Sequence, residues 1–493
     1  MKYYITTPLY YVNDQPHIGH AYTNIAADAM ARYKRLKGFD VFFLTGTDEH
    51  GQKIEREAQK RQIPAQTLAN QMVEKYKSLW QMLSISYSRF IRTTEDRHKK
   101  TATHLFLTLL NKGDIYKGQY EGPYCTPCER FVSKDEKVCP DCRRPCEIIS
   151  EETYFFGLSR YRDQLLSYIK ENPNFILPSY RKNEMTNIIS EELFDLSITR
   201  STFSWGIPVP IPGAKDVMYV WFEALINYLT AVGYPDDKEM FERYWPADLH
   251  LVGKDILRFH TIIWPAMLIA GGLTPPKRVF GHGWWTINEE KMSKSKGNAI
   301  DPYEIINEFG ADGFRYFLLR EIAFGLDGDF SRKALIHRLN SDLANDLGNL
   351  FSRVMKMVES YAESKVPQEA DGEHLKGLAL NIANEIETEI SELRFHSYLE
   401  KVWVLVREAN KYVDQKKPWT LKGTTLNSTL YNLLESLRML SIFLFPIMPN
   451  LSLKMLKCLG LCEKDLSLVD LKWGGLATGI RTRYTGPLFM RIS

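Results

Sequence analysis

The hydrophobic positions near the start of the chain change spacing from one segment to the next. The run KYYITTP is rich in β-branched and aromatic residues and predicts a strand, followed by a loop over residues 9–16. From Ile18 to Lys37 apolar residues recur at helical spacing. FDVFFLTG is a continuous apolar run, typical of a strand buried on both faces, and QKIEREAQKR returns to a helical pattern. This alternation predicts a parallel βαβ unit.

The α/β pattern is interrupted and later resumes. A stretch rich in Cys, Pro and charge predicts an insertion, after which DVMYVWFEALINYL and KRVFGHGWWTI restore the pattern. Beyond Ser331 the apolar positions follow amphipathic helices only, which predicts a helical bundle. We therefore expect an α/β protein with a split Rossmann-like parallel sheet, followed by an all-α bundle domain. The expected ranges are 1–117 for the first half of the Rossmann-like domain, 118–209 for the insertion, 210–270 for the second half, 271–330 for a linking segment and 331–493 for the helical domain.

Composition narrows the class of protein without choosing a function. A chain of 493 residues predicts several domains, and a net charge of +3 excludes a histone-like protein while allowing a local basic face. The N-terminus, MKYYITTPLYYVN, lacks the pattern of a signal or transit peptide. Apolar stretches such as IIWPAMLIAGGL are short and interrupted by proline or glycine, so we expect no membrane span and a cytoplasmic location.

Five of the seven cysteines lie in a short part of the predicted insertion. Cys125 and Cys128 form one Cys-x-x-Cys pair, and Cys139 and Cys142 form a second. Two such pairs can close a tetrahedral Zn²⁺ site, and a site made of four thiolates keeps no position for water, which favours a structural ion. Cys146 could replace Cys142 as the fourth ligand. The alternative is two pairs of reduced, buried thiols, which the surrounding Pro, Lys and Asp residues make less attractive.

Two further segments carry candidate chemistry. His17 and His20 lie at a predicted strand-to-helix junction, where the free amides and the helix dipole favour an anion and where Gly19 allows close approach to the backbone. Taken alone, this pair also fits packing or solvent-facing histidines, or a metal site, although no third ligand is nearby. The segment NEEKMSKSKGNAI contains Lys291 and Lys294, which suit a triphosphate but also an exposed charged turn. Since the usual phosphate-loop motifs are missing, a nucleotide enzyme would have to use these two segments.

These two segments match, letter for letter, the signatures of class I aminoacyl-tRNA synthetases: His17-Ile18-Gly19-His20 and Lys291-Met292-Ser293-Lys294-Ser295. The sequence resembles bacterial-type methionyl-tRNA synthetases over essentially its whole length. The resemblance implies ATP-dependent attachment of L-methionine to tRNA(Met) through methionyl-adenylate, with Mg²⁺ accompanying ATP and a zinc-stabilised insertion. It also implies a catalytic role for His17, His20, Lys291 and Lys294.

The family resemblance assigns further residues to binding sites. Spacing places Trp221, Ala224 and Tyr228 on one helix face, and Ile256, His260 and Trp264 on another, a pattern that a plain core would also give. The expected methionine-binding residues are Leu9, Tyr11, Asp48, Trp221, Ala224, Tyr228, Ile256, His260 and Trp264. Those for ATP are Gly19, His20, Gly253, Asp255, Lys291 and Lys294. Those for the anticodon are Asn349, Arg353 and Trp419 in the helical domain.

Two alternatives stay open at this point. A class I synthetase of another specificity would share both signatures, although the leucine, isoleucine and valine enzymes carry a longer editing insertion and a cysteine enzyme would hold zinc in its pocket. A catalytically silent, synthetase-like RNA-binding protein is the second alternative, and the intact signature residues disfavour it. Because the sequence ends with PLFMRIS, we expect no C-terminal dimerising domain and therefore a monomer.

Overall fold

The structure is a computed structural model that describes residues 1–125, 130–131, 137–139, 143–191, 193–287, 290–291, 300–469 and 471–492. The strands are β1 (Lys2–Tyr11), β2 (Asp40–Asp48), β3 (Arg89–Arg92), β4 (Ile115–Cys125), β5 (Arg130–Phe131), β6 (Glu147–Phe156), β7 (Ile176–Leu177), β8 (Leu196–Ser197), β9 (Thr199–Arg200), β10 (Val217–Met218), β11 (Leu249–Gly253), β12 (Val279–His282), β13 (Trp285–Ile287), β14 (Glu290–Lys291) and β15 (Gly328–Asp329).

Helices cover the faces of the central sheet and make up most of the C-terminal part. They are α1 (Ile18–Leu36), α2 (Gln52–Lys60), α3 (Ala65–Met82), α4 (Asp96–Asn111), α5 (Arg162–Glu171), α6 (Ser179–Ser190), α7 (Val220–Leu225), α8 (Asn227–Thr230), α9 (Lys238–Tyr244), α10 (Trp264–Ala270), α11 (Pro302–Phe309), α12 (Ala311–Arg320), α13 (Arg332–Arg338), α14 (Asn349–Tyr361), α15 (Glu373–Ser391), α16 (Phe395–Lys416), α17 (Gly423–Leu444) and α18 (Pro449–Cys458).

A six-stranded parallel sheet forms the centre of the α/β part. Its order is β3-β2-β1-β11-β12-β7, so strands from before and after the predicted insertion lie side by side. The apolar run of β2 is buried from Phe42 onward, as expected for a strand covered on both faces. All carboxyl ends of parallel strands meet at one edge, where ligands of such sheets bind. The predicted α/β class with a parallel sheet is therefore confirmed.

Two details differ from the predicted elements. Strand β1 continues to Tyr11, through the first part of the predicted loop, with a register shift between Thr6 and Leu9. Pro8 lies at this irregularity, where the ladder does not need its missing N–H group. In addition, β7 lies within the range predicted as the insertion yet pairs with β12 at the edge of the central sheet. A strand of two residues is too short to be recognised from its periodicity.

The predicted insertion contains a sheet of its own. Its order is β5-β4-β6-β8, and each strand pairs with its neighbours in the antiparallel direction. The long β4–β6 ribbon carries the cysteine segment at its far end, beyond Cys125.

The C-terminal helices join the α/β part through a buried arginine. Arg315 of α12 pairs with Asp28 of α1 at 2.7 Å, and both side chains are fully buried. Its guanidinium also donates to the carbonyl oxygens of Leu83, Pro446 and Ile447 at 2.7–3.0 Å. One side chain therefore connects α1, the end of α3 and the turn between α17 and α18. Among the described residues, we find no helix with the length and apolar character of a membrane span.

Candidate active site

His17 and His20 form the start of α1. The Nδ1 atom of His17 accepts the Gly19 N–H at 3.1 Å, and the His17 N–H donates to Nδ1 of His20 at 3.2 Å. Their rings stack with centroids 3.7 Å apart. A Cβ atom added at Gly19 would lie 2.9 Å from Cε1 of His17, so the stack requires a glycine there. Because each Nδ1 accepts, a neutral ring carries its proton on Nε2, where it is a donor at the positive end of the helix.

One wall of the site comes from α7, α8 and the segment that precedes α10. The indole of Trp221 stacks on the Phe259 ring at 4.2 Å. Nδ1 of His260 lies 3.0 Å from the Ile256 carbonyl oxygen and must donate to it, so Nε2 accepts from the Tyr228 hydroxyl at 2.8 Å. Burial lowers the pKa of His260 to about 4, which keeps the ring neutral near pH 7.

A cavity of about 380 Å³ opens at the carboxyl end of the central sheet. Asp48, at the end of β2, is 4% exposed and belongs to its wall. The cavity brings together most of the residues predicted to bind methionine or ATP. Those that line it are Leu9, Tyr11, His17, Gly19, His20, Asp48, Trp221, Ala224, Tyr228, Gly253, Asp255, Ile256 and His260.

Trp264 is the member of the predicted methionine set that lies behind this wall. Its indole N–H donates to Nε2 of His250 at 3.3 Å, and its ring packs against Tyr228 with centroids 5.9 Å apart. A π-helical turn over Phe259–Ile263 separates it from His260. The wider turn rotates the following residues away from the face that a regular helix would present.

The structure adds wall residues that the sequence analysis missed, including Lys53, Asn227, His282 and Trp284. His282 ends β12, and its Nε2 lies 2.7 Å from the Thr23 hydroxyl of α1. Trp284 donates its indole N–H to Asp255 at 3.1 Å. His282 and Trp284 follow a strand of the parallel sheet at its carboxyl end, and that rule could have identified them as candidates.

The lysine loop lies largely outside the described residues. Residues 292–299, which include Lys294, are not described. The backbone of Lys291 is described in β14, which pairs with β13 so that Lys291 opposes Thr286. Since β13 begins directly after Trp284, the loop starts next to the cavity wall.

Three cysteines of the predicted metal site are described, whereas Cys128 and Cys142 are not. Cys125 and Cys139 are fully buried and pack together, with Cys146 beside them. Within the described ranges alone, no three Cys, His, Asp or Glu side chains converge on a common point for a metal ion. Two of the four predicted ligands, Cys128 and Cys142, lie outside these ranges, so the zinc site stays a prediction.

The predicted anticodon residues lie among the C-terminal helices. Asn349 begins α14 and is exposed, and Arg353 one turn later pairs with Asp414 of α16 at 2.6 Å. Trp419 follows the end of α16 and is 52% exposed. Trp419 is therefore not a core residue, and tryptophan side chains are on average much more buried than this.

Comparison with known proteins assigns the chain to a family. The family model described as "tRNA synthetases class I (M)" matches residues 3–147 and 143–355. A methionine–tRNA ligase of Caldanaerobacter subterraneus subsp. tengcongensis is 52% identical over 99% of this chain and 79% of its own length. The chain belongs to the methionyl-tRNA synthetase family. A Thermotoga maritima methionine–tRNA ligase is 47% identical over 100% of this chain and 80% of its own length.

The solved structures agree with this assignment to the methionyl-tRNA synthetases. A Mycobacterium tuberculosis methionyl-tRNA synthetase in complex with methionyl-adenylate superposes with a TM-score of 0.95, at 40% identity, covering 100% of both chains. The resemblance expected from the two signature motifs is confirmed. As a methionyl-tRNA synthetase, the chain is an enzyme that activates methionine and charges tRNA, and both alternative interpretations fall away.

Proposed function

We propose that the cavity at the carboxyl end of the sheet is where methionine is activated as methionyl-adenylate. A carboxylate oxygen of methionine attacks the α-phosphorus of ATP, and the bond to the leaving pyrophosphate breaks. A terminal ribose hydroxyl of tRNA then attacks the acyl carbon and releases AMP. One observation carries the proposal: a single cavity wall combines the His17–His20 helix start, Asp48 and the aromatic pocket.

The residues of the wall have separable tasks in this proposal. His17 and His20 donate from Nε2 to the phosphates at the positive end of α1. Asp48 binds the α-ammonium group, and Gly253 and Asp255 hold the ribose. Neutral His260 and Tyr228 leave a polarisable, uncharged environment for the thioether, since sulfur–aromatic contacts are favourable. Lys291 and Lys294 neutralise the charge that develops on the phosphates, with Mg²⁺ accompanying ATP.

The assignment of Asp48 is tested by Asp48→Asn. The amide cannot pair with an ammonium group as a carboxylate does, so KM for methionine should rise by about 10–100-fold, equivalent to about 1.4–3 kcal/mol. KM for ATP should stay within a factor of two or so of the wild-type value. Both constants are measured by methionine-dependent ATP–pyrophosphate exchange. An unchanged KM for methionine would remove Asp48 from the binding site.

The lysine loop is tested by Lys294→Ala. Since this lysine is proposed to act on charge that develops in the transition state, the maximal exchange rate should fall by about 10²–10³-fold while methionine binding is nearly unchanged. Lys296→Ala, in the same loop, is the matched control and should have a much smaller effect. An exchange rate unaffected by Lys294→Ala would contradict the proposed role.

We also propose that the cysteine segment holds one structural Zn²⁺. The support is the donor chemistry: Cys125 and Cys139 pack together with Cys146 beside them, and Cys128 and Cys142 each follow three residues after one of this pair. The zinc would fix the end of the β4–β6 ribbon. Thiolate ligands of this kind stay reduced in a cytoplasmic location, which we propose for the enzyme.

Metal analysis of purified protein tests the zinc proposal. We expect about one zinc per chain, lost in Cys139→Ser and retained in Cys458→Ser, a buried cysteine of α18. Comparing Cys142→Ser with Cys146→Ser identifies the fourth ligand. Full zinc content in Cys139→Ser would overturn the site.

For the C-terminal helices, we propose an anticodon-binding bundle domain of a monomeric enzyme acting on tRNA(Met). The exposed Trp419 ring is suited to stacking on an unpaired base, and Asn349 and Arg353 offer hydrogen-bond donors nearby in the same group of helices.

A further inference from the structure

A buried carboxylate lies directly behind the proposed methionine pocket. Glu223 of α7 is fully buried, and its two oxygens lie 2.8 Å from Nδ1 of His50 and 2.7 Å from Nε2 of His98. Both histidines are at most 3% exposed. Burial opposes ionisation of Glu223, but His50 and His98 outweigh it and lower the pKa of this carboxyl. An ionised carboxylate only accepts, so both imidazole rings donate to it.

The hydrogen-bonded network of His50, Glu223 and His98 lies next to two parts of the proposed methionine site, the segment of Asp48 and helix α7. His50 comes two residues after Asp48, and Glu223 lies between Trp221 and Ala224 in sequence. In the described part of the chain, the cavity wall includes Asp48, Trp221 and Ala224 but not Glu223. The network therefore joins the segment that carries the proposed ammonium-binding group to the helix that carries part of the side-chain pocket.

The segment around Asp48 is also held on its other side. Glu49 accepts from Arg92 through both oxygens, at 2.6 and 2.9 Å. The Trp205 indole donates to the Glu49 carbonyl oxygen at 2.5 Å, and its ring lies edge-on to His50. Three consecutive acidic or basic residues thus point in three directions: Asp48 towards the cavity, Glu49 towards β3, and His50 towards α7. The bond from His50 to Glu223 is the direct link across to the pocket helix.

A purely structural contact would not require these residue types. Burying a carboxylate between two imidazoles costs desolvation free energy that apolar side chains of similar volume would avoid. What the polar network provides is fixed geometry, since charge-assisted hydrogen bonds set both distance and direction. His98 extends this geometry to α8, because its Nδ1 lies 3.3 Å from the Thr230 hydroxyl.

We propose that Glu223 is a positioning residue that fixes the distance between Asp48 and the pocket wall formed by Trp221 and Ala224, and thereby sets methionine affinity and side-chain selectivity. This inference rests on the proposed role of Asp48 in binding the ammonium group. The distance from that group to the pocket wall decides which side-chain length fits. One methylene in such a pocket is worth about 10–200-fold in selectivity.

The test compares methionine with ethionine, which is one methylene longer, in ATP–pyrophosphate exchange. Glu223→Gln should raise KM for methionine at least several-fold, leave KM for ATP unchanged and reduce the preference for methionine over ethionine. His98→Gln places an amide N–H near the position of Nε2 and should retain most of the wild-type selectivity, whereas His98→Ala should behave like Glu223→Gln. The two His98 variants keep the test available if Glu223→Gln does not fold.

Glu435→Gln is the matched control. Glu435 is another fully buried carboxylate, bound by Arg438 at 2.6 Å in the C-terminal helices, away from the cavity. Both Gln variants should lower the melting temperature, but Glu435→Gln should leave both KM values and the selectivity unchanged. A Glu223→Gln enzyme that loses stability with unaltered KM and selectivity would overturn the inference. So would equal changes in KM for methionine and for ATP.

The outcome for Asp48→Asn separates the two proposals. If Asp48→Asn raises KM for methionine and Glu223→Gln and His98→Ala do not, the positioning role is wrong and the proposed site stands. If Asp48→Asn has no effect on KM for methionine, the proposed role of Asp48 in binding the ammonium group is wrong, and the positioning role fails with it.

Discussion

His17 and His20 cap the start of a helix and line the proposed ligand site with the same pair of side chains. Each uses Nδ1 to accept a backbone N–H at the beginning of α1. The remaining ring nitrogen is the donor, and the helix dipole favours an anion at this end. The sequence places the pair at a strand-to-helix junction, but the tautomer depends on hydrogen bonds that only the folded backbone supplies.

Two substitutions at His20 separate these roles. Asparagine places its oxygen near the position of Nδ1, so His20→Asn should keep the His17 N–H bond and the fold while losing the Nε2 donor. We expect the exchange rate to fall about 10²–10³-fold, with a melting temperature close to that of the wild type. Glutamine places its N–H near Nε2, so His20→Gln should retain more activity than His20→Asn. A His20→Asn enzyme with full activity would contradict the donor role.

At the scale of elements, α1 connects the proposed catalytic cavity to the rest of the molecule. Its N-terminus lies in the cavity wall, and Asp28 in its middle accepts from Arg32 and from Ser86 while pairing with Arg315. Its apolar spacing predicts the helix correctly, although residues 21–31 are buried on all sides of the helix and not on one face alone. The spacing does not reveal Asp28, since a buried acid is understood only once its partners from distant segments are known.

Asp28 should make stability depend on pH. Burial opposes its ionisation, but Arg32 and Arg315 outweigh it and hold the pKa of its carboxyl below the usual value. Its contribution is therefore present above the unfolded-state pKa of about 3.9 and is lost as the pH falls through the lower folded-state value. Asp28→Asn should cost about 3–5 kcal/mol at pH 7, and the difference from wild type should shrink below about pH 4. Urea unfolding of both proteins between pH 7 and the acid range measures this difference in the free energy of unfolding.

The control for this prediction is Asp96→Asn. Asp96 is fully exposed at the start of α4, so its replacement should leave the free energy of unfolding nearly unchanged at every pH. A stability difference between wild type and Asp28→Asn that does not change with pH would show that the loss comes from packing and not from charge.

Helix boundaries show what periodicity misses at this scale. The apolar spacing beyond Ser331 predicts amphipathic helices but does not mark the break between α15 and α16 at Leu393, which adopts φ 60°. The π-helical turn before α10 likewise moves Trp264 behind the pocket wall. In both cases one unusual backbone conformation changes the direction of the helix that follows. The residue types at Leu393 and in the π-helical turn do not indicate it.

At the scale of the whole molecule, the α/β part and the C-terminal helices are joined through Arg315, whose partners come from α1, the end of α3 and the turn after α17. The parallel sheet could be predicted because continuous apolar strands mark it. Most residues that line the cavity at its carboxyl end were expected from the family resemblance. The edge strand β7 could not be predicted. Its two residues are too few to show a pattern, and they pair with β12, which lies about 100 residues later in the sequence.

Trp419 tests whether the C-terminal helices act on tRNA. Trp419→Ala should lower kcat/KM for tRNA charging by about 10–100-fold, since stacking on a base is worth about 1–3 kcal/mol, and should leave methionine-dependent exchange unchanged. Tyr361→Ala removes another exposed aromatic ring, at the far end of α14, and should affect neither step. Equal losses of charging and exchange in Trp419→Ala would assign this residue a structural role.

The most direct test of the account is ATP–pyrophosphate exchange measured with each of the twenty amino acids in turn. Asp48, the neutral Tyr228–His260 pair and the aromatic wall line one cavity with the His17–His20 helix start, so methionine should support exchange far better than any other amino acid. Rapid exchange with a different amino acid, or none with methionine, would contradict the assignment of this cavity as a methionine-activating site.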